Sequence, residues 1–170
     1  MEILLFAALV WFFWWRSQKK KEQRRIVTGF QNALGYANAM NAAPYLGGDG
    51  SFGQEIVGES FYGSSFKRLK AYIDQTHPGE DEVVCALVAD PKNKHDKNAV
   101  MVMAGDLQLG HLPRETAEIV QGQLIGMGSL AKVTGKVHFG KHNSVRLDML
   151  VPLMIKNWTV GNNCVILLLH

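Results

Sequence analysis

The sequence predicts a mainly β fold with two helices, a small closed or nearly closed antiparallel barrel, preceded by an N-terminal hydrophobic helix. Three observations carry this. Six short strand-like segments follow Gln54, separated by turn signals. Two segments between them instead place apolar residues at spacings of three and four. Near the start, Ile3 to Trp15 runs ILLFAALVWFFWW without a polar residue.

Residues 1–21 read as a membrane anchor with a basic flank. Ile3, Leu4, Leu5, Phe6, Trp11, Phe12, Phe13, Trp14 and Trp15 form its apolar body, and RSQKKKEQRR follows. Thirteen helical residues span roughly 20 Å, short of the ~30 Å hydrocarbon core, but interfacial tryptophans and snorkelling Arg16 and Lys19 can close the gap. A cleaved secretory signal would put basic residues before the apolar run, and here they come after it. An interfacial helix would need a polar face. The favoured reading is a single-pass or membrane-associated protein touching lipid through this helix. The positive-inside rule then places the C-terminal domain in the cytoplasm.

Residues 22–53, rich in Gly, Ala and Asn and containing GGDG at 47–50, read as a flexible linker, with a short helix near Gln31–Met40. The barrel is expected over 54–155. Glu55–Phe61 reads as a first strand with an irregularity at Gly58. Ser64 is placed to cap a helix over 65–75 that faces inward through Phe66, Leu69 and Ile73. Glu82–Ala89, Ala99–Ala104 and Leu107–Leu112 are strands, the last two joined by a tight Gly105-Asp106 turn. Pro113 opens a second helix across Arg114–Leu124, with Ala117, Val120 and Leu124 inward. Gly122, Gly126 and Gly128 read as a loop after it. Ser129–Phe139 and Ser144–Leu153 form a closing hairpin. The tail, 156–170, ends CVILLLH. It is too short to span a bilayer and suits a last strand or a packing helix.

Composition narrows the function classes. With 170 residues, 47% hydrophobic and 19% charged, most of the chain folds, as one ordinary domain plus tails. Two cysteines exclude a disulfide framework. Residues 1–25 hold six basic and two acidic residues, and the rest twelve basic and thirteen acidic. A broad phosphate-binding face is therefore not expected in the folded part. No CxxC, Walker loop, HExxH or GxSxG occurs. His138 and His142 sit four apart but want a third ligand, and read as exposed hairpin residues. No cofactor, metal or catalytic activity is expected.

The informative stretch is 89–117, ADPKNKHDKNAVMVMAGDLQLGHLPRETA. A polar loop, Asp90–Asn98, lies between two apolar strands. Its Asp and Asn side chains can bond nearby backbone amides and shape it. Asp90-Pro91, Asn93, Asp96, Asn98-Ala99-Val100 and Val102, then Gly110-His111-Leu112-Pro113-Arg114 and Ala117, resemble the HIRAN domain, and Ile56-Val57-Gly58 and Phe61-Tyr62 fit its opening strand. The resemblance covers about 54–153. It implies a modified OB-like barrel and a module that binds the 3′ end of single-stranded DNA. By the same resemblance Asp96 accepts a hydrogen bond from the 3′-hydroxyl and Asn93 contacts the terminal nucleotide. Phe61, with Tyr62 beside it, stacks on a base. His95 stands where such members have a tyrosine, and His111 and Arg114 lie near phosphates. Ser60 stands where they carry a basic residue, which removes one phosphate contact.

Three assignments have a plainer alternative: a core aromatic for Phe61, a structural hydrogen bond for His111, a solvated charge for Arg114. The expected function is a non-catalytic module, tethered to the membrane, that recognises 3′-hydroxyl ends. The alternative is a membrane-anchored adaptor that keeps the barrel, binds a protein partner and has lost DNA binding.

Overall fold

Alternation of buried and exposed side chains defines most of the sheet. In the computed structural model, which describes residues 35–155, β1 is Gln54–Glu55, β2 Glu82–Ala89, β3 Val100–Ala104, β4 Leu107–His111, β5 Leu130–His138 and β6 Ser144–Asp148. In β3, Val100, Val102 and Ala104 point inward, and in β5 Ala131, Val133, Gly135 and Val137 do. This is the period-two signature of a sheet with one buried face. β2 is the exception, with Val83 to Leu87 all buried. Val83, Cys85 and Leu87 join the core cluster, and a helix packs on this strand.

That helix is α2, Arg114–Gly126, which buries Ala117, Val120, Gln121 and Leu124 and packs on β2 and β5. The first helix, α1, spans Gly63–Thr76, buries Phe66, Leu69 and Ile73, and packs on β4. His77 and the positive φ of Gly79 end it. The expected Ser64 cap is not made: α1 starts two residues earlier, after Tyr62, without a side-chain cap. Gly122 and Gly126 lie inside α2, not in a loop after it; the turn comes at Gly128.

The strand order is β1-β6-β5-β2-β3-β4, antiparallel throughout. This leaves β1 and β4 at opposite edges, and the chain just past β1 joins them. Val57 N–H donates to His111 O at 2.8 Å, and His111 N–H donates to Val57 O at 2.9 Å. The sheet thus curls until its edges meet at one residue pair. A bulge in β4 helps: Val102 pairs with Gly110 and Met103 with Gln108, so Leu109 is extra and the local twist increases.

The expected strand over Glu55–Phe61 is therefore shorter than the sequence suggests. Gly58 adopts φ 86°, ψ 9°, a left-handed conformation open to glycine at little cost. The chain turns there, and Glu59–Tyr62 form a 3-10 helix. Phe61 and Tyr62 sit on that turn, not on a strand.

Packing begins upstream of Gln54, within the span whose composition reads as linker. Residues 35–42 are helical, and a division of the chain falls between Asn38 and Ala39. In the second unit, Leu46 is 1% exposed in the core, and its N–H donates to Lys132 O at 2.7 Å. Gly50 N–H donates to Asp148 Oδ1 at 2.8 Å. The segment wraps the β5–β6 hairpin because these groups gain partners there. Both the anchor at 1–21 and the tail at 156–170 lie outside the described residues. Among the described residues, no helix is long and apolar enough to cross a membrane.

Edge joining leaves no room at Gly110. A Cβ there would sit 2.7 Å from Val57 O and 2.9 Å from Ile56 Cδ1. We expect Gly110→Ala to cost about 1–3 kcal/mol through overpacking, read as a lower urea midpoint. Gly63→Ala, where a Cβ meets nothing within 4 Å, should leave the midpoint unchanged or raise it.

Candidate nucleic-acid interface

The polar loop between β2 and β3 is braced by its own side chains. Asp90 N–H donates to Ala99 O and Ala99 N–H to Asp96 O, which closes the base of the loop. Asn93 is the central staple. Its Oδ1 accepts from His95 N–H at 3.0 Å and from Asp96 N–H at 3.3 Å, while its Nδ2 donates to Asp90 Oδ2 at 3.1 Å. Asp96 Oδ1 accepts from Asn98 N–H at 2.8 Å. From outside, the buried amide of Gln121 donates to Lys97 O at 2.5 Å and ties the loop to α2. Such local bonds are what Asp and Asn supply when a loop must hold one shape.

Bracing leaves Asp96 with one committed oxygen and one available. Its side chain is 24% exposed, and Oδ2 lies 3.8 Å from Arg114 Nε. Arg114, at the first turn of α2, also has Glu118 Oε1 3.4 Å from Nε. Its side chain is 71% exposed, so it remains open to a further anion while two carboxylates weaken its field.

Closure of the sheet brings the other residues in. His111 pairs with Val57 through the backbone, its Nε2 lies 3.2 Å from Gln108 Nε2, and its ring is 6.1 Å from that of Tyr62 with a 54° tilt. Burial lowers the His111 pKa below 6.5, and the nearby Asp90 carboxylate opposes the shift. A neutral imidazole is thus favoured near pH 7, a hydrogen-bonding group and not a cation. Tyr62 is partly buried against the core, whereas Phe61 is 86% exposed at the tip of the 3-10 turn. That exposure overturns the core-aromatic alternative for Phe61. His95 projects from the loop, exposed, and Ser60 is exposed beside Phe61.

Tyr62 lies beside His111, whose imidazole feels the Asp90 carboxylate, and contacts run on from Asp90 through Asn93 and Asp96 to Arg114. Phe61 precedes Tyr62 on the 3-10 turn, and His95 sits in the loop. Sequence reading missed the partners that hold these residues in place. Gln121 carried a signal, being a polar residue between inward-facing Val120 and Leu124. Gln108 carried none, because the bulge at Leu109 that sets its direction is not encoded in strand alternation. Among the described residues, no group of three or more His, Cys, Asp or Glu side chains is placed to hold a metal ion.

The family model described as HIRAN domain matches residues 49–156, more than half of the chain. Among solved structures, the crystal structure of the HIRAN domain of human HLTF is similar at 24% identity. The match covers 63% of this chain and 81% of that chain, with a TM-score of 0.36. No curated protein matches the sequence.

The setting of His111 predicts a pH dependence. Its folded pKa is depressed, so between that value and 6.5 the unfolded chain binds the proton and the folded chain does not. Its contribution to stability is complete above 6.5 and declines as pH falls below it. An NMR titration should place His111 below 6.5, and Asp90→Asn should move it lower still. His111→Gln should flatten the acid-side fall of stability.

Proposed function

This chain belongs to the HIRAN domain family, and we propose that it is a non-catalytic module recognising the 3′-hydroxyl end of single-stranded DNA. The observation that carries the reading is that the domain presents an exposed aromatic, Phe61, and also a braced carboxylate, Asp96, with one oxygen uncommitted to the loop backbone. Base stacking on an exposed aromatic is tolerant of sequence and contributes about 1–3 kcal/mol per base. Asp96 has an oxygen free to accept from a terminal hydroxyl, and its charge repels a terminal phosphate. Asn93 fixes the loop that meets the last nucleotide, and His95 and Tyr62 extend the stacking surface. His111 supplies a neutral polar contact, and Arg114 meets a phosphate beside its carboxylates. Reading one chain end needs few phosphate contacts, which agrees with a near-neutral folded part.

We further propose that residues 1–21 tether the module to the membrane, with the domain on the cytoplasmic side. The apolar run Ile3–Trp15 and the basic residues that follow it support this. Removing residues 3–15 should move the protein from the membrane to the soluble fraction of a cell lysate; unchanged partitioning would sink the tether.

The end-reading test compares a short strand ending in 3′-hydroxyl with the same strand ending in 3′-phosphate, by fluorescence anisotropy on the full chain in nonionic detergent. The wild type should prefer the hydroxyl end. Asp96→Asn keeps the acceptor for Asn98 N–H but removes the charge, and should narrow the preference. Phe61→Ala should weaken binding to either end by about 1–3 kcal/mol. Equal binding of both ends by the wild type would defeat the 3′-hydroxyl reading. No binding at low salt would leave the adaptor reading.

A further inference from the structure

The described residues carry eleven basic and thirteen acidic side chains, so any attraction for phosphate must be local. Arg68, Lys70, Arg114, Lys136 and Arg146 each have a carboxylate within 4 Å. Lys132 donates to Asn41 O. Only Lys67, Lys92, Lys94, Lys97 and Lys141 have no such partner among the described residues. Three of these five fall within six residues of the braced loop, and all three are exposed.

Neither loop carboxylate lies within 4 Å of a loop lysine. Asp90 Oδ2 accepts from Asn93, Asp96 Oδ1 accepts from Asn98 N–H, and Asp96 Oδ2 faces Arg114. Meanwhile the backbone that carries the lysines is held at both ends and from α2. The result is a fixed platform bearing three mobile point charges, suited to contacting phosphates without regard to sequence. Arg114, by contrast, already faces two carboxylates.

We infer that Lys92, Lys94 and Lys97 are the main contacts to the internucleotide phosphates of a bound strand, in place of the basic side chain absent at Ser60. This rests on the DNA-end reading above. It assigns two tasks to one loop: Asp96 reads the end, and the lysines flanking it hold the strand that leads there.

Salt dependence separates the tasks, because each phosphate neutralised on a single strand adds about 0.7 to the slope of log affinity against log salt. The experiment titrates the full chain in nonionic detergent with a short fluorescein-labelled oligothymidylate across a sodium chloride series. The triple variant Lys92→Gln, Lys94→Gln, Lys97→Gln should lower the slope by about 2 while keeping the preference for a 3′-hydroxyl over a 3′-phosphate. Lys141→Gln should leave the slope unchanged, and Arg114→Gln should lower it by less than the triple variant. The basic residues at 16–25 are common to all these proteins, so differences belong to the substituted positions. A wild-type slope in the triple variant, with end preference intact, would overturn the lysine assignment and leave end reading standing. A wild type that binds neither strand would remove end reading, and the lysine assignment with it.

Discussion

Two backbone hydrogen bonds between Val57 and His111 govern this molecule. Without them the sheet would end in β4, an open row of donors and acceptors. With them, the chain after β1 is fixed against both edges of the sheet, through β6 on one side and His111 on the other. The approach is close enough that only a residue without a side chain fits at position 110. The same contact fixes where Gly58 lies, and its left-handed turn lifts Phe61 and Tyr62 out of strand geometry. Closure and presentation of the exposed aromatic are therefore one structural event.

The second constraint is the loop between β2 and β3. Polar loops of nine residues usually lose order, because water competes for their backbone groups. Here three side chains, Asn93, Asp96 and Gln121, take up that role. Asn93 illustrates the cost. Both atoms of its amide are engaged inside the loop, so its effect on a ligand would run largely through the shape it imposes. Asp96 is different, since only one of its oxygens is held by the backbone. The loop thus holds one amide spent wholly on its shape and one carboxylate that keeps an oxygen off the loop backbone.

Much of this was legible in the sequence, and the rest was not for identifiable reasons. β2, β3 and the two helices follow from apolar spacing and Gly or Pro punctuation, and their observed bounds lie close to those expected. The family resemblance rests on residues of the loop, β3, β4 and the start of α2, with Ile56–Gly58 and Phe61-Tyr62 upstream. The first strand misled because EIVGESF carries strand-forming residues on both sides of Gly58, and pattern alone does not reveal a positive φ. The wrap at 44–50 misled because its composition is that of a linker; its order comes from partners about a hundred positions away in sequence, such as Asp148. Long-range bonds of this kind leave no local signature. Nor does the ion pairing of Arg114, which depends on how α2 meets the loop.

That pairing bears on how charge is distributed here. A module with more acidic than basic groups cannot attract a polyanion by net charge, and a uniformly basic face would hold any phosphate equally well. Discrimination of a chain end asks for the opposite arrangement, a carboxylate where the last sugar sits and cations only where the strand continues. A negative group set among cations weakens overall affinity, but it penalises a terminal phosphate more than a terminal hydroxyl. In this chain Arg68 and Lys70 on α1, Arg114 on α2, and Lys136 and Arg146 on the β5–β6 hairpin are paired, while three unpaired lysines lie within a few residues of Asp96. On the end-reading proposal, selectivity for an end and low net charge would be consequences of the same placement of groups.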